Sequence, residues 1–313
     1  MGKIVFGVDV GGTSVKLGLF DEKGELKKKW SIPTRTEDEG ANVLPDIAAS
    51  IKETAEAEGY KKEDIIGVGI GLPGPVDSKG VIRKAVNLHW NRVFNVSEEL
   101  SALLDGTKVV AGNDANVAAL GEAWAGSGKG YENVVMVTLG TGIGGGVIIG
   151  GKIITGATGS AGEIGHIHIS DELEEKCNCG NSGCLEQFAS ATGIVRLLEQ
   201  ELAASDEDSI MRREPHTAKD MWEAVKAGDA LAIRVAEKFG KYLGTGLAII
   251  ASVVNPDIFI IGGGVSMSGD VIMPYITDNY KKHVFHACAD AKFVRAVLGN
   301  DGGIYGACKL VLE

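Results

Sequence analysis

The sequence predicts an α/β protein with an internal duplication, and three observations lead there. A strand, a turn of glycine and threonine, and a second strand occur near residue 11 and again near residue 140, roughly half the chain apart. Helical periodicity follows both copies. The 45 glycines among 313 residues gather in clusters, which fits turns built from backbone and not a flexible linker.

In chain order, Ile4 to Asp9, Val15 to Phe20 and Leu26 to Ile32 read as an antiparallel meander joined by tight turns. Ile47, Ile51 and Ala55 recur at four-residue spacing and predict a helix over 41–58. Ile65 to Gly71 is a buried strand that runs into Leu72-Pro73-Gly74-Pro75, where proline ends both ladder and helix. Val109-Val110 closes another strand, and a helix is expected from Ala115 to Trp124. The opening pattern then returns as Val134 to Leu139, a glycine turn over 140–146, and a strand Val147 to Ile149. Helices follow near 187–204 and 230–254, then a strand Ile258 to Ile261 ends in Gly262-Gly263-Gly264.

Hydrophobic content of 44% with 23% charged residues is that of a water-soluble globular chain. The formal charge of -11 argues against nucleic acid as the main partner. It leaves a nucleotide open, since a few local amides and a magnesium ion suffice to hold a triphosphate. No apolar run of membrane-spanning length and no signal-peptide pattern appears, so no membrane and a cytoplasmic location are expected.

Gly140, Gly142 and Gly145 spell the dinucleotide fingerprint. That fingerprint needs a helix after the turn, whereas Val147-Ile148-Ile149 continues as a strand, so the dinucleotide reading fails. No Walker A motif is present. A hairpin turn still binds phosphate when glycines let successive amides converge on one anion. Gly11, Gly12 and Thr13, then Gly140, Thr141 and Gly142, then Gly263 and Gly264 are the candidates, with Asp9 as a magnesium partner. One such hairpin alone is also an ordinary tight turn; the repetition favours phosphate.

Transfer of a phosphoryl group to an alcohol needs a carboxylate within reach of the hydroxyl. Asp114 in Gly112-Asn113-Asp114-Ala115-Asn116 is the candidate, although a helix N-cap explains it equally well. Glu163, His166 and Glu186 form a second polar group suited to sugar hydroxyls, with surface charge as the alternative. His166, Cys177, Cys179 and Cys184 have the composition and spacing of a structural zinc site, with His168 as a competing ligand. Cys288 and Cys308 read as isolated buried residues.

Taken together, Asp9-Val10-Gly11-Gly12-Thr13, Gly71-Leu72-Pro73-Gly74-Pro75, Asn113-Asp114-Ala115-Asn116, the glycine run 139–146, Gly162 to His166 and Cys177 to Glu186 resemble the ROK family of sugar kinases and repressors. Ala189 to Gly193 looks most like its bacterial glucokinases. The resemblance implies the duplicated actin-like (ribonuclease H-like) fold, two α/β domains with a cleft between them. It places residues 1–112 plus a C-terminal helix near 302–313 in the smaller domain, and 113–301 with a zinc loop in the larger. It implies that Asp114 is the catalytic base, and that Asn87, Asn113, Glu163, His166 and Glu186 contact the sugar. It implies ATP with Mg2+ at the three glycine runs, structural Zn2+, a homodimer, and glucose or a related hexose as substrate. N-acetylmannosamine, fructose and allose are the rival sugars. A sugar-sensing repressor is the rival of another class, and a first strand at Ile4 is expected to leave no room for its helix-turn-helix.

Overall fold

A computed structural model gives the fold, and it describes residues 2–213 and 216–313. The described residues form two compact units. Among them, those up to 132, 146–162 and 297–313 belong to the first, and those within 133–145 and 163–296 to the second.

In the first unit β1 (Ile4–Val10), β2 (Ser14–Asp21) and β3 (Leu26–Pro33) form the antiparallel meander. A single turn α1 (Glu37–Gly40) and the helix α2 (Val43–Ala57) follow. β4 (Ile65–Leu72) then pairs parallel to β1. A short ribbon of β5 (Val81–Ile82) and β6 (Phe94–Asn95) leads to α3 (Val96–Leu103), and β7 (Val109–Asn113) pairs parallel to β4. The sheet order is β3-β2-β1-β4-β7. α4 (Asp114–Ala125) leaves the end of β7 directly.

This sheet is covered on both faces, which is why its central strands are apolar almost throughout. Ile4, Phe6, Val8 and Val10 point into a core with Ile47 and Ile51 of α2. Val5 and Phe20 pack on the other side against Ile304, Cys308 and Val311 of the last helix, α10 (Gly302–Leu312). The approach there is close: a Cβ at Gly7 would lie 2.1 Å from the Ile304 carbonyl oxygen, and one at Gly69 1.7 Å from that of Ala307. Glycine at those two strand positions is therefore a packing requirement.

The second half repeats the strand order. β8 (Val134–Leu139), β9 (Ile143–Ile149) and β10 (Lys152–Ile153) come first. The helices α5 (Glu186–Ala189), α6 (Ala191–Ala204), α7 (Ala218–Lys226) and α8 (Ala230–Val254) follow, then β11 (Ile258–Gly262), α9 (Ile272–His283) and β12 (Lys292–Arg295). The order β10-β9-β8-β11-β12 is that of the first sheet with each strand replaced by its counterpart. The expected duplication is therefore present at the level of connectivity.

Two local expectations are corrected. The glycine turn is shorter than 140–146, because β9 already begins at Ile143. Gly146 is a strand residue whose Cβ would fall 2.4 Å from the Ala119 Cβ, so close packing and not turning explains it. The helix expected near 187–204 is two, broken at Ser190 (ψ 174°), whose side chain caps α6 by accepting from the Gly193 amide. Among the described residues no helix is long and apolar enough to cross a membrane.

Candidate active-site residues

In the first unit the predicted residues collect at the carboxyl ends of parallel strands, the usual ligand position in such sheets. Asp9 is next to last in β1 and lies directly opposite Lys16 of β2. The Lys16 ammonium is 3.8 Å from its carboxylate. A Cβ at Gly303 would sit 2.5 Å from the Asp9 carboxyl carbon, so the α10 backbone closes over this acid. Burial pushes the Asp9 carboxyl above the usual carboxylate range, and Lys16 partly offsets that.

The Gly11-Gly12-Thr13 turn is held by the Gly11 amide donating to the Ser14 carbonyl (3.0 Å) and by the Thr34 hydroxyl donating to the Gly11 carbonyl (2.7 Å). A Cβ at Gly12 would stand 3.7 Å from that of Asn87, which brings the exposed Asn87 beside the turn.

The residue that caps α4 is Asn113, whose side-chain oxygen accepts from the Asn116 amide at 3.1 Å. The N-cap explanation of Asp114 is thereby removed, because the cap is already supplied. Asp114 occupies the first helical position, and its Oδ1 accepts from the Asn113 amide group (3.0 Å) and the Ala115 backbone N–H (2.7 Å). Asn113 also donates to the Gly74 carbonyl (3.1 Å), which ties the Pro73–Pro75 loop to the same spot. The carboxylate orientation is thus set by cap, backbone and loop together.

In the second unit β8 and β11 run parallel in register, with Gly262 opposite Thr138. Their carboxyl ends carry the Gly140 turn and the Gly263-Gly264 run side by side. Gly263 has a φ of 81°, and a Cβ there would lie 2.5 Å from the Leu139 carbonyl oxygen; Gly264 faces open space. The Ala191 amide at the start of α6 donates to the Gly140 carbonyl (2.8 Å).

Glu186 stands between this turn and the cysteine cluster. Its Oε2 accepts from the Ile143 amide (3.4 Å), and a Cβ at Gly142 would come within 2.6 Å of the same oxygen. Its Oε1 is 2.9 Å from the Cys177 sulfur and 3.6 Å from His166 Nδ1. A cavity of about 230 Å³ is lined by Thr141, Gly142, Cys177, Glu186, Ser190 and Thr192.

The ligand atoms of His166, Cys177, Cys179 and Cys184 all lie within 4.8 Å of one another. Tetrahedral zinc with Zn–S bonds of about 2.3 Å separates two sulfurs by about 3.8 Å; the Cys179–Cys184 separation is 3.6 Å. That separation is far beyond a disulfide bond, and all three cysteines are free. Donor set and spacing fit the metal. His168 does not join them, since its ring nitrogens face the Ser182 carbonyl (2.9 Å) and Asp171 (3.0 Å). His166 presents Nδ1 to Cys177 and Nε2 toward Glu163, 3.9 Å away. Gly183 (φ 74°) lets the loop turn where a Cβ would meet the Ser170 carbonyl oxygen at 2.0 Å.

Lys16 escaped the sequence reading. The signal was the meander itself: a tight turn after Asp9 obliges some residue of β2 to face it, and counting across the hairpin reaches Lys16.

The chain is 42% identical to a glucokinase of Halalkalibacterium halodurans, over 98% of this chain and 94% of that protein. A solved ROK family glucokinase of Streptomyces griseus, in complex with glucose and AMPPNP, superposes with a TM-score of 0.74 at 34% identity, covering 98% of both chains. A ROK hexokinase of Thermus thermophilus superposes with a TM-score of 0.82 at 31% identity, covering 98% of this chain and 97% of that one. The ROK family model matches residues 5–313, so the duplicated sheets, the repeated glycine turns and the cysteine loop have one explanation, and the chain belongs to the ROK family.

Proposed function

We propose that this protein transfers the γ-phosphoryl group of ATP to a hydroxyl of glucose, giving glucose 6-phosphate. The observation that carries the reading is Asp114, oriented by two hydrogen bonds on one oxygen at a helix start whose cap is supplied by its neighbour. With the cap of α4 already supplied by Asn113, capping does not account for an acid held that firmly. The 42% identity to a glucokinase supports glucose among the family's sugars.

In this reading Asp114 accepts the proton of the attacking hydroxyl, so the oxygen gains nucleophilic character as it meets the phosphorus. Asn87, Asn113, Glu163, His166 and Glu186 hold the remaining hydroxyls; each unmatched one would leave a polar group unpaired. Amides of the Gly11–Thr13 and Gly140–Gly142 turns take phosphate oxygens, with Gly263 and Gly264 against the nucleotide. Asp9 would hold Mg2+, directly or through water, and the ion when bound would neutralise phosphate charge.

His166, Cys177, Cys179 and Cys184 would hold Zn2+ as a structural ion with no open position. Its service is to fix the segment that presents Glu163 and Glu186. Three free thiols in one loop also support a reducing, cytoplasmic location. A homodimer is supported by Ile249 and Val253, one helical turn apart on α8 and 43% and 80% exposed. Sedimentation at micromolar concentration tests it, and a monomer there overturns it.

The deciding experiment is a coupled ADP-release assay over glucose, mannose, fructose and N-acetylmannosamine. Turnover fastest on glucose is the expected result. Turnover fastest on another sugar replaces the substrate; tight sugar binding with no turnover on any replaces the enzyme with a sugar-sensing regulator.

A further inference from the structure

Glu122 is a carboxylate with 1% exposure, and the phosphoryl-transfer reading above gives it no role. It lies on α4, eight residues after Asp114, about 12 Å along the same helix. Its Oε2 accepts from the Ser127 amide at 2.9 Å. Its Oε1 accepts from the Leu298 amide at 2.7 Å, a contact across 176 residues of sequence. Its backbone carbonyl also accepts from the amides of Gly126 (3.1 Å) and Gly128 (2.9 Å). A Cβ at Gly126 would stand 2.1 Å from Oε2, so glycine is what admits the carboxylate there.

The two segments held this way have a common property. The chain leaves the first unit between residues 132 and 133, and returns to it for the last time between 296 and 297. Ser127 precedes the first of these crossings and Leu298 follows the second. One buried side chain therefore fastens two of the four covalent connections between the units to one helix. That helix is itself set rigidly: a Cβ at Gly121 would lie 2.1 Å from the Gly302 carbonyl oxygen, and one at Gly306 1.7 Å from that of Val117, so α4 and α10 meet backbone to backbone.

We propose that Glu122 is a positioning residue, which clamps the 126–128 and 297–298 segments to α4 and so couples the inter-unit connections to the helix that presents Asp114. The inference rests on the reading of Asp114 as base. A neutral amide at this position has one oxygen where the carboxylate has two, so Glu122→Gln keeps one clamp bond and loses the other. Glu122→Ala loses both.

The test combines steady-state kinetics on glucose and ATP with hydrogen exchange of peptides spanning 125–132 and 296–300, with and without glucose. In the wild type, glucose slows exchange in both segments. For Glu122→Gln, corrected for folded fraction, kcat falls about tenfold while the KM for glucose stays within about threefold. Glucose then no longer protects the two segments together. A Glu122→Gln protein with wild-type kcat, or one in which glucose still protects both segments, overturns the proposal; so does an equal loss explained wholly by unfolded protein. Asp114→Asn, run beside it, separates the two readings. If that variant remains active, Asp114 is not the base, while the joint protection of the two segments still decides whether Glu122 clamps them.

Discussion

Asp114 and Asp9 are both acids at strand ends, and their surroundings give them opposite tasks. Asp114 is held by donors on Oδ1, an arrangement that fixes direction. Asp114→Asn keeps the size and the donors' partner oxygen but removes the proton acceptor. Turnover should fall on the order of 10² or more with glucose binding retained, since a general base contributes about that much. Near-normal kcat in that variant removes Asp114 from the mechanism. Asp9 is instead enclosed, with α10 against it and its carboxyl raised by burial. A raised folded value means the native state holds its proton over a pH range where the unfolded chain has released it. Stability from this group is therefore greatest at low pH, falls as pH rises from the ordinary carboxylate value through the folded one, and stays lowered at neutral pH. Asp9→Asn should raise the melting temperature of the unliganded protein at pH 7.5, and that gain should shrink toward acid pH. The same change should cost about 10–100-fold in activity if Asp9 supports the magnesium ion. A melting temperature that falls at pH 7.5 would show that burial of the charge is not the dominant influence on Asp9.

At the scale of elements, the glycines divide into those that make room for protein and those that leave room for a ligand. Gly142 belongs to the first kind, because a methyl group there meets Glu186 Oε2 at 2.6 Å. Gly142→Ala should push Glu186 aside and lower kcat/KM for glucose on the order of 10²-fold, the cost of about an ångström of misplacement. Gly264 belongs to the second, since beyond its chain neighbours no protein atom lies within 4 Å of where a methyl group would stand. Gly264→Ala should leave the melting temperature unchanged and raise the KM for ATP; an unchanged KM would take the nucleotide away from this run. Removal of metal acts on a third element. About one zinc per chain is expected by metal analysis, and chelation should loosen the 163–186 segment and abolish activity, with recovery on adding zinc. A metal-free preparation of full activity would sink the zinc site. Much of this was legible in sequence, for a physical reason. Strand alternation, glycine clustering and cysteine spacing are local, so β1, β2, α8 and the cluster of His166, Cys177, Cys179 and Cys184 could be read from residues near in sequence. The α4 cap, the break at Ser190 and the pairing of Lys16 with Asp9 are local as well, but adjacent residues of suitable type compete for each role, as Asn113 and Asp114 do for the cap, and spacing alone does not rank them. Glu122 is the opposite case, since its partner Leu298 is 176 residues away and nothing local marks it.

For the whole molecule, the question is whether binding sugar leads to turnover, because the ROK family contains kinases and repressors on one scaffold. The net charge of -11 disfavours nucleic acid as a partner and so weighs against a DNA-binding repressor, but it says nothing about turnover. Thermal stability separates sugar binding from catalysis. Glucose at 100 times its dissociation constant should stabilise the folded protein by about 2.7 kcal/mol, and a sensor would respond in the same way. The discriminating quantity is the response to ATP. In a kinase, glucose and a non-hydrolysable ATP analogue should each raise the melting temperature, and Asp114→Asn should preserve both shifts while ADP release is lost. Sugar specificity follows from the same comparison. A site that pairs each hydroxyl rejects a sugar lacking a partner group far more strongly than one that merely adds bulk, because the unmatched protein group stays buried. Mannose, which differs from glucose by one inverted hydroxyl, should therefore be the best of the poorer substrates, and fructose and N-acetylmannosamine should follow. Equal rates on all four would mean that Glu163, His166 and Glu186 do not read the hydroxyls at all.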